Sequence, residues 1–190
     1  MRMPQPRREH GFTLIELMIV VVIVGVLSVL AVIGYKKWVS SSRLSEAYDM
    51  VNAIRSAEEA FKAENGTYYD VSAGLAAGNT YPAAHPGPFK TGWGATCGNC
   101  WTPSSGTTMH TWAALTVEPK GPVMFGYAVI TDALGAAPSL TVNGTAVNVS
   151  ALTAPWYIVS AVGDTDGNGV YVTVYGFSST NQLMVNNEGE

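Results

Sequence analysis

The chain has 190 residues, a formal net charge of −4, 13% charged side chains and a mean hydropathy of +0.17. That length holds one domain and an appendage. No basic stripe occurs after residue 11, so DNA binding is not indicated, and no Ser-His-Asp, paired-carboxylate or phosphate-loop arrangement points to an enzyme.

The first eleven residues form a basic leader: Arg2, Arg7 and Arg8 against Glu9 leave it at +2, while the remainder carries −6. An apolar block follows from Phe12 to Gly34, where only Thr13, Glu16 and Ser28 have polar side chains. About 20 apolar residues suffice to span a bilayer, and positive charge ahead of them holds that end in the cytoplasm. A cleaved secretory signal has an apolar core of about 7–15 residues and then small residues. Here the run is longer, and Lys36 and Lys37 follow it, so the segment is expected to stay attached. Glu16 is the anomaly. A carboxylate within such a run costs roughly 2.5–3.5 kcal/mol on insertion scales, unless it finds a partner or stays hydrated at the interface.

The stretch Gly11-Phe12-Thr13-Leu14-Ile15-Glu16, behind an arginine leader and ahead of unbroken apolar sequence, resembles the signature of type IV pilins, specifically type IVa-like prepilins with an N-terminal methylation motif. The resemblance implies cleavage between Gly11 and Phe12 by a prepilin peptidase, N-methylation of Phe12, and a mature chain of 179 residues. It implies that Glu16, with Thr13, serves assembly: the carboxylate meets the N-terminal amine of a neighbouring subunit, and pairing offsets the burial of both charges. Many relatives carry a helix-kinking proline where this chain has Ile33, while Gly25 matches a glycine common among them. Local loosening between Gly25 and Gly34, at about 1 kcal/mol per glycine relative to Ala, is the corresponding expectation.

No proline occurs from residue 12 to 81. Leu44, Ala47, Tyr48, Val51, Ile54, Ala57 and Phe61 recur at three- and four-residue steps, the apolar face of an amphipathic helix. Arg43, Glu46, Asp49, Arg55, Glu58, Glu59 and Lys62 are assigned to the other positions. With Asn65-Gly66 as a stop, residues 12–65 read as one helix about 80 Å long, transmembrane over 12–34.

Residues 66–110, rich in Gly, Pro, Ser and Thr, read as an irregular connection, and the resemblance makes it the variable αβ-loop. It holds the only two cysteines, Cys97 and Cys100. A local structural disulfide in an oxidising compartment is favoured. A zinc site, with only His85 or His110 to add, and a redox pair, lacking a βαβ context, stay open.

Residues 111–190 carry strand signals at Trp112–Val117, Val123–Thr131, Trp156–Val162, Val170–Phe177 and Gln182–Val185. The predicted class is α+β: a long N-terminal helix packed on a C-terminal antiparallel sheet. The turn Asp164-Thr165-Asp166-Gly167-Asn168-Gly169 matches the first half of an EF-hand loop, without the closing acid. Either it is a bare hairpin turn, or it binds calcium through Asp164, Asp166, Asn168 and the Val170 carbonyl. Apart from calcium, no cofactor is expected. Asn65, Asn143 and Asn148 stand in Asn-x-Ser/Thr triplets, read as ordinary polar loop residues.

The resemblance implies a structural subunit rather than an enzyme. It would be an inner-membrane precursor that assembles with copies of itself, an inner-membrane platform and an assembly ATPase into an extracellular pilus serving adhesion, twitching motility or DNA uptake. A type II secretion pseudopilin or minor pilin shares the same N-terminal half. A signal-anchored periplasmic binding domain is the rival of another class, and it predicts neither cleavage at Gly11 nor a need for Glu16.

Overall fold

The computed structural model describes residues 11–94, 110–132, 138–147 and 154–189. The chain divides into two compact units, Met1–Val39 and Ser40–Glu190. One helix, α1 (Leu14–Asn65, 52 residues), contributes to both and is unbroken at Gly25 and Gly34. In the absence of a proline, no residue between 14 and 65 lacks the N–H that continues the ladder. The helix ends where Gly66 N–H donates to the Lys62 carbonyl at 2.8 Å.

Within the first unit the large apolar side chains from Phe12 to Ile33 are all more than half exposed, from Val20 and Ile23 at 52% to Phe12 at 85%. Ser28 turns its hydroxyl back to the Val24 carbonyl at 2.7 Å, so its polarity is absorbed by the helix itself. This stretch is long and apolar enough to cross a membrane.

The second unit is the α+β head. Its strands are β1 (Gly126–Asp132), β2 (Leu140–Val142), β3 (Thr145–Val147), β4 (Trp156–Gly163), β5 (Val172–Phe177) and β6 (Thr180–Asn186). β1, β4, β5 and β6 form an antiparallel sheet in the order β1-β4-β5-β6, with Val129 opposite Val159 and Ile158 opposite Phe177. One face, including Tyr127, Val129, Tyr157, Val159 and Val174, packs with Leu44, Ala47, Val51 and Ile54 of α1 in a single core. The opposite face carries a second cluster of Trp156, Ile158 and Phe177, covered by Leu75 and by Leu140 and Val147 of the β2–β3 hairpin. All eight residues of β4 are buried, as befits a central strand covered on both sides.

Two expectations change. Trp112–Leu115 is a 3-10 turn, not the start of a strand. A strand would send Trp112 and Leu115 to opposite faces, whereas the three-residue repeat buries both on one side. The β2–β3 hairpin was not foreseen. It closes on Asn143-Gly144, both at positive φ (48° and 76°), which a two-residue hairpin turn requires. Asn143 also ties the hairpin to β6: its Nδ2 donates to the Val185 carbonyl at 2.8 Å, and its Oδ1 accepts from Asn187 N–H at 3.2 Å. On the same strand, Arg55 of α1 donates to the Thr180 carbonyl at 2.8 Å and to the Asn181 carbonyl at 3.4 Å.

Helix and sheet approach closely at Gly176 of β5, where an added Cβ would lie 2.7 Å from Val51 Cγ1 and 2.9 Å from Arg55 Cδ. Gly176→Ala is therefore expected to destabilise the head by about 1–3 kcal/mol. Thermal unfolding of the detergent-solubilised chain, followed by tryptophan fluorescence, measures it; an unchanged midpoint would remove this packing contact from the account.

Candidate functional site

The N-terminus of α1 is built by two side chains. The Thr13 hydroxyl accepts from Glu16 N–H at 3.3 Å, while Glu16 Oε2 accepts from Thr13 N–H at 2.8 Å and from the Thr13 hydroxyl at 2.7 Å. This reciprocal pair is a capping box, which satisfies donors that the first helical turn leaves orphaned. It also puts a negative charge where the helix dipole favours one. The sequence-predicted residues Gly11, Phe12, Thr13 and Glu16 thus lie together at one exposed helix start. Both internal bonds go to Oε2, and Oε1 accepts none among the described residues.

The turn after β4 is closed by its own side chains. Asp164 Oδ1 accepts from Gly167 and Asn168 N–H at 2.8 and 3.2 Å, and Oδ2 accepts from Gly169 N–H at 3.0 Å. Asp166 accepts from the Asn168 backbone and side chain, at 3.2 and 3.1 Å, and Asn168 Oδ1 accepts from Val170 N–H at 2.6 Å. Arg43 donates a hydrogen bond to the Thr165 carbonyl, bringing a cation to the turn. Each side chain named for calcium is thus engaged in hydrogen bonds that shape a tight loop, and among the described residues no group of three or more His, Cys, Asp or Glu side chains could hold a metal ion.

Cys97, Cys100 and Asn148 lie outside the described residues. Asn65 and Asn143 each commit the side-chain nitrogen to a backbone carbonyl, Phe61 at 3.0 Å and Val185 at 2.8 Å. His110 is partnered: Nδ1 is 2.8 Å from Asp70 Oδ1, and its ring stacks on Tyr69 at 4.5 Å.

Sequence reasoning missed two features of the head. Glu58, assigned to the polar face, is fully buried. Its position was the available signal, for it stands seven residues after Val51 and four after Ile54, in line with the apolar stripe. The other is an aromatic cluster: Trp93 lies edge-on to Tyr81 and Trp112, at 4.9 and 5.3 Å, beside a cavity of about 300 Å³ also lined by Thr116 and Glu118.

Comparison with known proteins bears on the N-terminal site. The family described as the prokaryotic N-terminal methylation motif matches residues 6–32. The type IV major pilin protein PilA of Myxococcus xanthus is 43% identical over 63 residues, 33% of this chain and 29% of that protein. The fimbrial protein EcpC of Eikenella corrodens is 37% identical over 71 residues, 36% and 46% of the two chains. The type II secretion system core protein G of Pseudomonas aeruginosa is 36% identical over 84 residues, 44% of this chain and 59% of that protein. The chain spans 29–59% of the length of these relatives. No solved structure matches it significantly.

Asp164→Ala removes the acceptor of three backbone N–H groups, and a loss of about 1–3 kcal/mol is expected. Chemical denaturation of the full chain in detergent reads it, and wild-type stability in that variant would mean that the turn does not depend on Asp164.

Proposed function

We propose that this chain, which carries the N-terminal methylation motif and apolar helix of a type IV pilin, is the structural subunit of a type IV pilus. Prepilin peptidase cuts between Gly11 and Phe12, Phe12 is methylated, and the inner-membrane precursor passes to an assembly platform driven by an ATPase. Copies then pack through the Phe12–Ile33 surface into an extracellular filament for adhesion, twitching motility or DNA uptake.

The observation that carries this reading is the unpartnered apolar surface of the first unit together with its single capped carboxylate. In water each such side chain costs roughly 1.5–3 kcal/mol relative to burial, so the surface must be solvated by lipid or by copies of itself. Lipid and a helical bundle are almost equally apolar, so hydrophobic area alone does not drive transfer between them. Glu16 does distinguish them. In the membrane it holds only Thr13; in a bundle its Oε1 can also take the ammonium created at Phe12, relieving a penalty of roughly 2.5–3.5 kcal/mol. Head-to-tail contacts that do not close then extend as a helical fibre.

A pseudopilin of type II secretion is the second reading. It is favoured by the match to core protein G, which covers more of both chains than the match to PilA. Surface fibres released by shear, made of this chain and beginning at methylated Phe12, support the pilin. Dispersed monomers still bearing the leader, in a host with working pilus machinery, overturn both readings.

Two smaller assignments accompany this function. A Cys97–Cys100 disulfide predicts a mass change on reduction. Calcium at Asp164, Asp166, Asn168 and the Val170 carbonyl predicts calorimetric heat with millimolar calcium, and its absence retires the site.

Glu16→Val is expected to leave cleavage largely intact and to reduce sheared filament yield severely. Normal yield from that variant would exclude Glu16 from assembly.

A further inference from the structure

The helix seam with the segment after it contains a carboxyl group in an improbable place. Glu58 is 0% exposed, while Glu59 and Glu64 on the same helix are exposed. Its Oε2 accepts from Tyr69 N–H at 3.0 Å, and its Oε1 has no hydrogen-bond partner among the described residues. Tyr69 belongs to a strap, residues 67–72, that follows α1 directly. The strap is held to β1 by Val71 N–H on the Val129 carbonyl and by Ser72 Oγ receiving Val129 N–H, both at 3.3 Å. It is held to β4 by the ring of Tyr68 edge-on to Tyr157 at 4.7 Å.

The groups around Glu58 are of one sign or neutral. Asp70 and Tyr68 face it from the strap and Glu59 from its own helix. The nearby basic groups are already engaged: His110 lies against Asp70, Lys62 donates to the Tyr68 hydroxyl at 3.0 Å, and Arg55 donates to carbonyls of β6. A buried carboxylate with one donor and two acidic neighbours is strongly disfavoured, whereas the neutral acid keeps that donor on Oε2 and leaves only an uncharged O–H to bury.

We propose that Glu58 is a proton-operated latch: neutral, it lets the 67–72 strap close over α1, and ionised, it drives the strap open. Burial pushes its carboxyl from 4.5 up to about 8, with the Asp70 and Glu59 charges adding to the rise and the Tyr69 N–H opposing it. The closed state therefore binds the proton more tightly than the open state. Its stabilisation is fully present below about 4.5, declines as pH rises toward about 8, and is lost above that. At pH 7 a group with that value is neutral in about ten molecules for each ionised one.

The test uses the full-length chain in detergent. Infrared titration should show a protonated-carboxyl band at neutral pH that disappears as pH passes about 8 and is absent from Glu58→Gln. Hydrogen exchange at the Tyr69 amide, divided by that of Glu58→Gln at the same pH to remove base catalysis, should rise about tenfold per unit between pH 6 and 7. Asp70→Asn, which removes one of the charges raising Glu58, should move the infrared transition to lower pH. This variant and the wild-type titration keep the test open should Glu58→Gln fail to fold. A carboxylate spectrum already complete at pH 6, or an exchange ratio independent of pH, would overturn the latch.

Discussion

An apolar helix surface that water cannot tolerate sets the terms for the first unit. The large apolar side chains from Phe12 to Ile33 are not buried by any of the described residues. Their environment must come from outside, as acyl tails or as other helices. Because those two environments offer nearly the same apolar solvation, the choice between them falls to polar exceptions. Ser28 is internally satisfied and exerts no preference. Glu16 is only partly satisfied, by a capping box that uses one of its oxygens. In the assembly proposed above, a single atom, Glu16 Oε1, would carry the discrimination that a run of apolar residues cannot supply.

The head solves a different problem, because its sheet is apolar on both faces. α1 covers one, and Leu75 with the β2–β3 hairpin covers the other. Burying both faces makes β4 a continuous core strand. The helix lies close enough at Gly176 to leave no room for a methyl group, so sheet and helix form one packed body from Ser40 onward.

Much of this was legible in the residues. The leader, the Gly11-Phe12 junction, Glu16 and the helix register are local patterns with strong physical signatures, and the strands at 156–163 and 172–177 are rich in Val and aromatic residues. Misreadings arose where local pattern competes with packing. Trp112–Leu115 has strand-like composition, but the core takes its first and fourth residues on one side. Thr145-Ala146-Val147 is too short to signal a strand, although Asn143-Gly144 announces the turn. The charge of Glu58 points to the polar face, while its spacing from Val51 and Ile54 places it inward, where it is buried. Periodicity outranked polarity there, and a tertiary partner, the Tyr69 amide, made the burial tolerable.

Exposed sheet edges invite neighbouring chains to add strands. β6 is the last strand of this sheet, and its carbonyls are occupied by Arg55 toward one end and by Asn143 toward the other. In a fibre the heads are crowded at very high local concentration, the condition in which stray strand exchange would glue them into sheets. In the fibre proposed above, these arginine and asparagine contacts on β6 would disfavour strand addition at that edge and keep adjacent heads distinct bodies. Such a fibre could be dismantled subunit by subunit, since no backbone ladder would run from one head to the next.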